Sequence, residues 1–121
     1  MTSSTKKVVP NSVILIEDQS GGEIPNSMNQ SLIAATASCI AVGCRAEDDG
    51  ETEIILGHCD NVASDKQPMF EGALRTPSQK LVVRTVLGDT LLEMPVATAE
   101  TKLIIWVNDQ TEPDHIVVGV M

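Results

Sequence analysis

Apolar residues recur at every second position along much of this chain, the period of a half-buried β-strand rather than of a helix. Residues 38–46 place Ile40, Val42, Cys44 and Ala46 on one side and Cys39, Ala41, Gly43 and Arg45 on the other. Residues 51–59 set Thr52, Ile54, Leu56 and His58 opposite Glu51, Glu53, Ile55, Gly57 and Cys59. The first set in each is expected to face a core, the second water or a covering element. Residues 80–87 and 90–94 repeat the pattern, with Leu81, Val83, Leu92 and Met94 inward. Residues 101–108 are apolar on both sides, as a central strand would be. Further strands are predicted over 7–17, where Pro10 demotes the start, over 69–76, with Gly72 as a bulge, and over 115–120. About eight short strands predict an all-β fold, an antiparallel β-sandwich. One short α-helix is expected at 28–37, capped by Asn26 or Ser27 and favoured by Ala34-Ala35. Residues 1–7 read as a flexible N-terminal tail, leaving 8–121 as a single sandwich domain.

Two glycine corners predict strand registers. Asp48-Asp49-Gly50 suits a three-residue hairpin loop with Gly last. Counting outward sets Glu47 opposite Glu51, Arg45 opposite Glu53 and Cys39 opposite Cys59. Gly88-Asp89 suits a two-residue type II′ turn, which sets Arg84 opposite Glu93. Each opposite-charge pair would contribute roughly 0.2–1 kcal/mol.

Composition narrows the function classes. The 42% hydrophobic content is almost all aliphatic, with one Phe, one Trp and no Tyr, so ring faces for stacking bases or sugars are scarce. A net charge of −9 repels nucleic acid and anionic membranes and attracts basic partners. No stretch has the form of a secretory signal or a membrane span. Three cysteines, an odd number, fit a reducing compartment, so a cytoplasmic location is expected.

The candidate chemistry is thin. His58-Cys59-Asp60 has catalytic letters, but strand neighbours point to opposite sides, so His58 and Cys59 do not converge. Cys39 opposite Cys59 allows a disulfide or redox role, with plain structural thiols as the simpler alternative. His115 follows Asp114 with no partner in view, and the loop at 108–114 (Asp109, Glu112, Asp114) lacks a dedicated calcium pattern. No nucleophile elbow or phosphate loop occurs. No catalytic residue, metal ligand or cofactor is therefore assigned, and a non-enzymatic role is expected.

Charge is the feature that stands out. Residues 47–65 hold seven acids and no Lys or Arg, and five of the acids crowd one predicted hairpin. Glu47 facing Glu51 would be repulsive, a cost that points to binding. Glu47, Asp48, Asp49, Glu51 and Glu53 are the candidate partner-binding residues, for a basic protein such as a nuclease whose cleft accepts carboxylates at phosphate positions. Two alternatives stay open: a self-associating subunit using Val82, Val86 and Leu91, or an enzyme or metal protein using Cys39, Cys59, His58 or the 109–114 loop.

In order and texture the chain also resembles the bacterial competence protein ComJ family, small acidic inhibitors of a nuclease. The likeness runs through the polar stretch at 26–36, Cys39-Ile40-Ala41-Val42-Gly43, Asp49-Gly50, Leu91-Leu92-Glu93-Met94-Pro95 and Thr101-Lys102-Leu103-Ile104-Ile105-Trp106. It covers roughly residues 24–120. It implies a binding or inhibitory role, and no site residue is carried over from it.

Overall fold

The computed structural model describes residues 2–121. Among these, ten strands form two five-stranded sheets around one shared core. They are β1 (Thr2–Lys7), β2 (Val13–Asp18), β3 (Ile33–Ala35), β4 (Cys39–Gly43), β5 (Thr52–His58), β6 (Phe70–Arg75), β7 (Lys80–Thr85), β8 (Thr90–Pro95), β9 (Glu100–Val107) and β10 (His115–Val120). One sheet has the order β1-β5-β10-β9-β6, the other β3-β4-β2-β7-β8. Seven of the strand pairings are antiparallel, and β5 with β10 is parallel. The all-β sandwich expected from the alternation is present, with every expected strand and two more, β1 and β3.

The inner faces follow the period-two reading. Ile40, Val42, Cys44, Ile54, Leu56, Leu81, Val83, Leu92 and Met94 all lie in the common core. The partners differ, however. The stretches at 38–46 and 51–59 do not form a hairpin: β4 pairs with β2 and β3, whereas β5 pairs with β1 and β10 in the other sheet. Gly50 does take a positive φ of 128°, but with ψ −162° it extends the chain instead of reversing it. Glu47–Asp49 form a single 3-10 turn, so the segment is a corner that carries the chain from one sheet to the other. Arg45 is therefore not the strand partner of Glu53, nor Glu47 of Glu51, nor Cys39 of Cys59.

The second hairpin exists with a register shifted by two residues. Thr85 N–H donates to the Asp89 carbonyl at 2.9 Å and Gly88 N–H to the Thr85 carbonyl at 3.0 Å. The loop is thus three residues with Gly88 last, in a left-handed conformation (φ 96°). Val82 faces Glu93, and Glu93 pairs with Lys80 at 3.1 Å in place of Arg84. From Lys80–Pro95 to Val83–Leu92 the slip of two keeps each side chain on its face, so the hydrophobic pattern satisfies both registers, and an irregularity between Val83 and Arg84 then sets Arg84 opposite Thr90.

Residues 28–37 are not helical. Asn29 and Gln30 take left-handed φ of 51° and 62°, and β3 then pairs with β4. Ten residues are too few for a helix to form on propensity alone, while a strand edge satisfies the backbone at once. The short α-helix is α1, a single turn at Cys59–Val62. Residues 2–7, expected as tail, form edge strand β1 along β5, and Met1 lies outside the described residues.

The outer face of the second sheet is covered by residues 19–32. A Cβ at Gly22 would collide with the Ser38 carbonyl, so only Gly lets this segment lie so close. Glu23 N–H donates to Ser38 Oγ at 2.8 Å, and Met28 packs onto Leu15, Cys39 and Ala41. Beneath this cover Glu17, 4% exposed, lies 3.1 Å from Arg84 Nε. The contact is a charge pairing: the Nε–H is not aimed for a hydrogen bond. At the end of β2, Asp18 accepts hydrogen bonds from Ser20 N–H and Oγ–H and from Ser78 N–H. Burial raises the Asp18 pKa, but these hydrogen bonds outweigh it and hold the carboxyl below its ordinary value.

Removing one member of the covered ion pair strands the other. Arg84→Met is expected to destabilise the fold by about 3–5 kcal/mol, and Glu17→Met added to it to recover most of that loss in urea unfolding. A lowered folded-state pKa stabilises above the unfolded value and loses that contribution as pH falls through the folded value. Asp18→Asn should therefore lower the urea midpoint at pH 7, by a margin that narrows on acidification below 3.8. A pH-independent margin would remove the assigned role of the Asp18 carboxylate.

Candidate functional site

The corner at 44–51 and the loop at 108–114 meet at one end of the sandwich. Arg45 N–H donates to the Pro113 carbonyl at 2.9 Å, and Glu53 N–H to the Asp114 carbonyl at 2.8 Å. The backbone at 113–114 thus occupies the place where a hairpin would have joined Arg45 to Glu53. Arg45 Nη2 pairs instead with Asp114 Oδ2 at 2.9 Å. Glu53 pairs with His115 Nδ1 at 2.8 Å and sits in register with Lys6 on its other side. Glu53 is half-buried, while Glu47, Asp48, Asp49 and Glu51 are exposed.

The loop is organised by its own carboxylates. Asp109 Oδ2 accepts from Glu112 N–H at 2.7 Å and from Thr111 N–H and Oγ1–H at 3.1 and 2.9 Å. These bonds, the Glu112 amide first, lower the Asp109 pKa. Asn108 donates its Nδ2–H to Asp114 Oδ1 at 2.6 Å and accepts from the N–H groups of Asp114 and His115. The Asn108 amide, opposed by partial desolvation and aided by the Arg45 guanidinium, holds Asp114 below the usual carboxylate range. Both groups remain charged at neutral pH.

The result is one acidic end. Glu47, Asp48, Asp49, Glu51, Glu53, Asp109, Glu112 and Asp114 outnumber the neighbouring cations Lys6, Lys7 and Arg45. Asp109, Glu112 and Asp114 were visible in the sequence only as a separate loop. Their approach to the corner depends on the parallel β5–β10 pairing, which no local pattern announces.

The other candidates are dispersed. Cys39 lies on the covered outer face of the second sheet, whereas Cys59 begins α1 on the far side of the sandwich, so they cannot form the disulfide that a hairpin allowed. Burial, then the charge of Glu17, pushes the Cys39 thiol up to about 12. Burial also raises Cys44 and Cys59, the latter with help from Asp60 and Glu71. His58 is exposed at the end of β5. Among the described residues, no three His, Cys, Asp or Glu side chains are grouped to hold a metal. Of the apolar residues considered for self-association, Val82 is buried, Leu91 half-buried and Val86 exposed. Among the described residues, no helix is long and apolar enough to cross a membrane.

Fold and charge together define a two-sheet β protein with an acidic end. Its fold is that of ComJ from Bacillus subtilis, the inhibitor of the DNA degrading activity of NucA. The two superpose with a TM-score of 0.68 over 98% of this chain and 93% of that one, at 8% sequence identity. The likeness anticipated from the segment order therefore holds at the level of the fold. The crocagin biosynthetic gene J protein aligns over 98% of this chain and 94% of its own at 13% identity, with a TM-score of 0.48, too low to bear on the argument. The chain matches no protein-family model, and no curated protein matches it by sequence.

The thiol environments give a direct check on the sheet assignments. In the native protein at mildly alkaline pH, a maleimide should modify Cys59 first, with Cys39 and Cys44 reacting only on unfolding, as mapped by peptide mass spectrometry. Labelling of Cys39 at its unfolded rate would contradict the covered face.

Proposed function

We propose that this chain is a non-enzymatic acidic binding module that inhibits a basic enzyme, most naturally a nuclease of a bacterial cytoplasm. The observation that carries the proposal is the convergence of residues 45–53 and 108–115 on one end, joined by two backbone hydrogen bonds and the Arg45–Asp114 pair. Carboxylates held at that end can take the positions that phosphates occupy in a basic cleft. Their summed field also speeds the encounter of a cationic partner. The contact surface comprises Glu47, Asp48, Asp49, Glu51 and Glu53, extended by Asp109 and Glu112. The shared fold with an inhibitor of DNA degradation supports this reading, and the net charge of −9 disfavours nucleic acid itself as the partner.

Titration of the protein into a DNA-degradation assay with a purified basic nuclease of the NucA kind tests it. Degradation should slow, and inhibition should weaken as salt rises. The triple variant Asp48→Lys, Asp49→Lys, Glu51→Lys should inhibit about tenfold less well or worse, since like charges across an interface cost several kcal/mol. A variant as potent as the parent, or a parent without effect, would overturn the proposal.

A further inference from the structure

The outer face of the first sheet is covered only in part, by α1 and the residues that follow it, where that of the second is closed over by residues 19–32. An open groove of about 480 Å³ lies on it. Its floor is apolar, from Ile55 on β5, Val117 on β10 and Trp106 on β9, with Val62 of α1 on one wall. The groove runs directly into the acidic end. Ile55 is two residues along β5 from Glu53, and Val117 two along β10 from His115, so each pair shares a face. His115 both lines the groove and pairs with Glu53, and Asn108, which anchors Asp114, lines it too. Lys66 is the one Lys or Arg among the lining residues.

We infer that this groove receives an apolar side chain of a basic protein partner, flanked on that partner by cationic residues that settle on the acidic end. The inference rests on the basic-partner reading above and names the second half of its contact. An apolar pocket bordered by charge is the arrangement in which one buried anchor supplies most of the affinity while the surrounding charges steer and exclude water. Charge complementarity selects the occupant. Glu51, Glu53 and Asp114 stand at the groove's end together with Lys6 and Arg45, and Glu47, Asp48, Asp49, Asp109 and Glu112 beyond them leave carboxylates in excess, so an apolar group carried beside Lys or Arg gains at both places, and one carried beside carboxylates is repelled.

The test uses the isotope-labelled full chain and two capped peptides, Lys-Phe-Lys and Lys-Gly-Lys, at low salt. Trp106 is the only tryptophan, so its indole N–H gives a single resolved signal from the groove. Lys-Phe-Lys should move that signal and bind about tenfold or more tightly than Lys-Gly-Lys, the factor typical of a buried anchor. Ala63→Phe, at an exposed position on the groove wall, should erase the difference and leave both peptides binding weakly and salt-sensitively. If that variant disturbs the wider amide spectrum, Ile55→Ser should give the same loss without added bulk. Equal affinities with an unmoved indole would overturn the groove assignment and leave the acidic-end reading intact. Phenylalanine-dependent binding indifferent to salt and to the Asp48→Lys, Asp49→Lys, Glu51→Lys variant would overturn the choice of a cationic occupant. A neutral capped phenylalanine binding as tightly as Lys-Phe-Lys would also overturn it, in favour of a small apolar ligand.

Discussion

The parallel pairing of β5 with β10 is the contact on which the rest of this molecule depends. Parallel neighbours cannot be joined by a tight turn, so β5 must enter its sheet from elsewhere and wait for a strand near the other end of the chain. The corner at 44–51 delivers it from the second sheet, and four further strands precede β10. Burial makes the pairing favourable. Ile54, Leu56, Ile116 and Val118 are each at most 1% exposed, and burying such a side chain stabilises by roughly 1.5–3 kcal/mol. The Arg45–Asp114 ion pair and the His115–Glu53 hydrogen bond are partly exposed, where such a contact contributes only about 0–1 kcal/mol. Apolar contact therefore sets the pairing, and the polar contacts orient the two loops it brings together.

The two outer faces of the sandwich have opposite characters. On the second sheet, residues 19–32 close over Leu15, Cys39, Ala41 and the Glu17–Arg84 pair, a face given over to stability. On the first sheet the corresponding face stays open between β1 and α1, and its apolar floor adjoins the carboxylate-rich end.

Much of this was legible in the alternation of residues, and the part that was not has a single cause. Whether Ile40 or Ile54 points inward is a local property of a pleated strand, and both do. Which strand lies beside it is a property of the whole chain, and Gly50 could not tell a hairpin from a corner because positive φ serves both. The same limit explains Gly88, where two registers bury the same residues. Thr2–Lys7 escaped notice because an edge strand exposed to water need not alternate, and 28–37 because helix-favouring Ala34-Ala35 sit where β4 offers an open edge. For the candidate site, the five acids at 47–53 were visible as charge. Their union with Asp109, Glu112 and Asp114, and the groove floored by Trp106, needed the order β5-β10-β9.

Interstrand proton contacts in solution test the central claim most directly, since the acidic end and the groove both exist only if β5 lies beside β10. The structure predicts nuclear Overhauser contacts linking Ile54 with Ile116 and Leu56 with Val118 across a parallel ladder, and joining the Glu53 amide to Asp114. Contacts of an antiparallel ladder between Arg45 and Glu53, with none from β5 to β10, would contradict it.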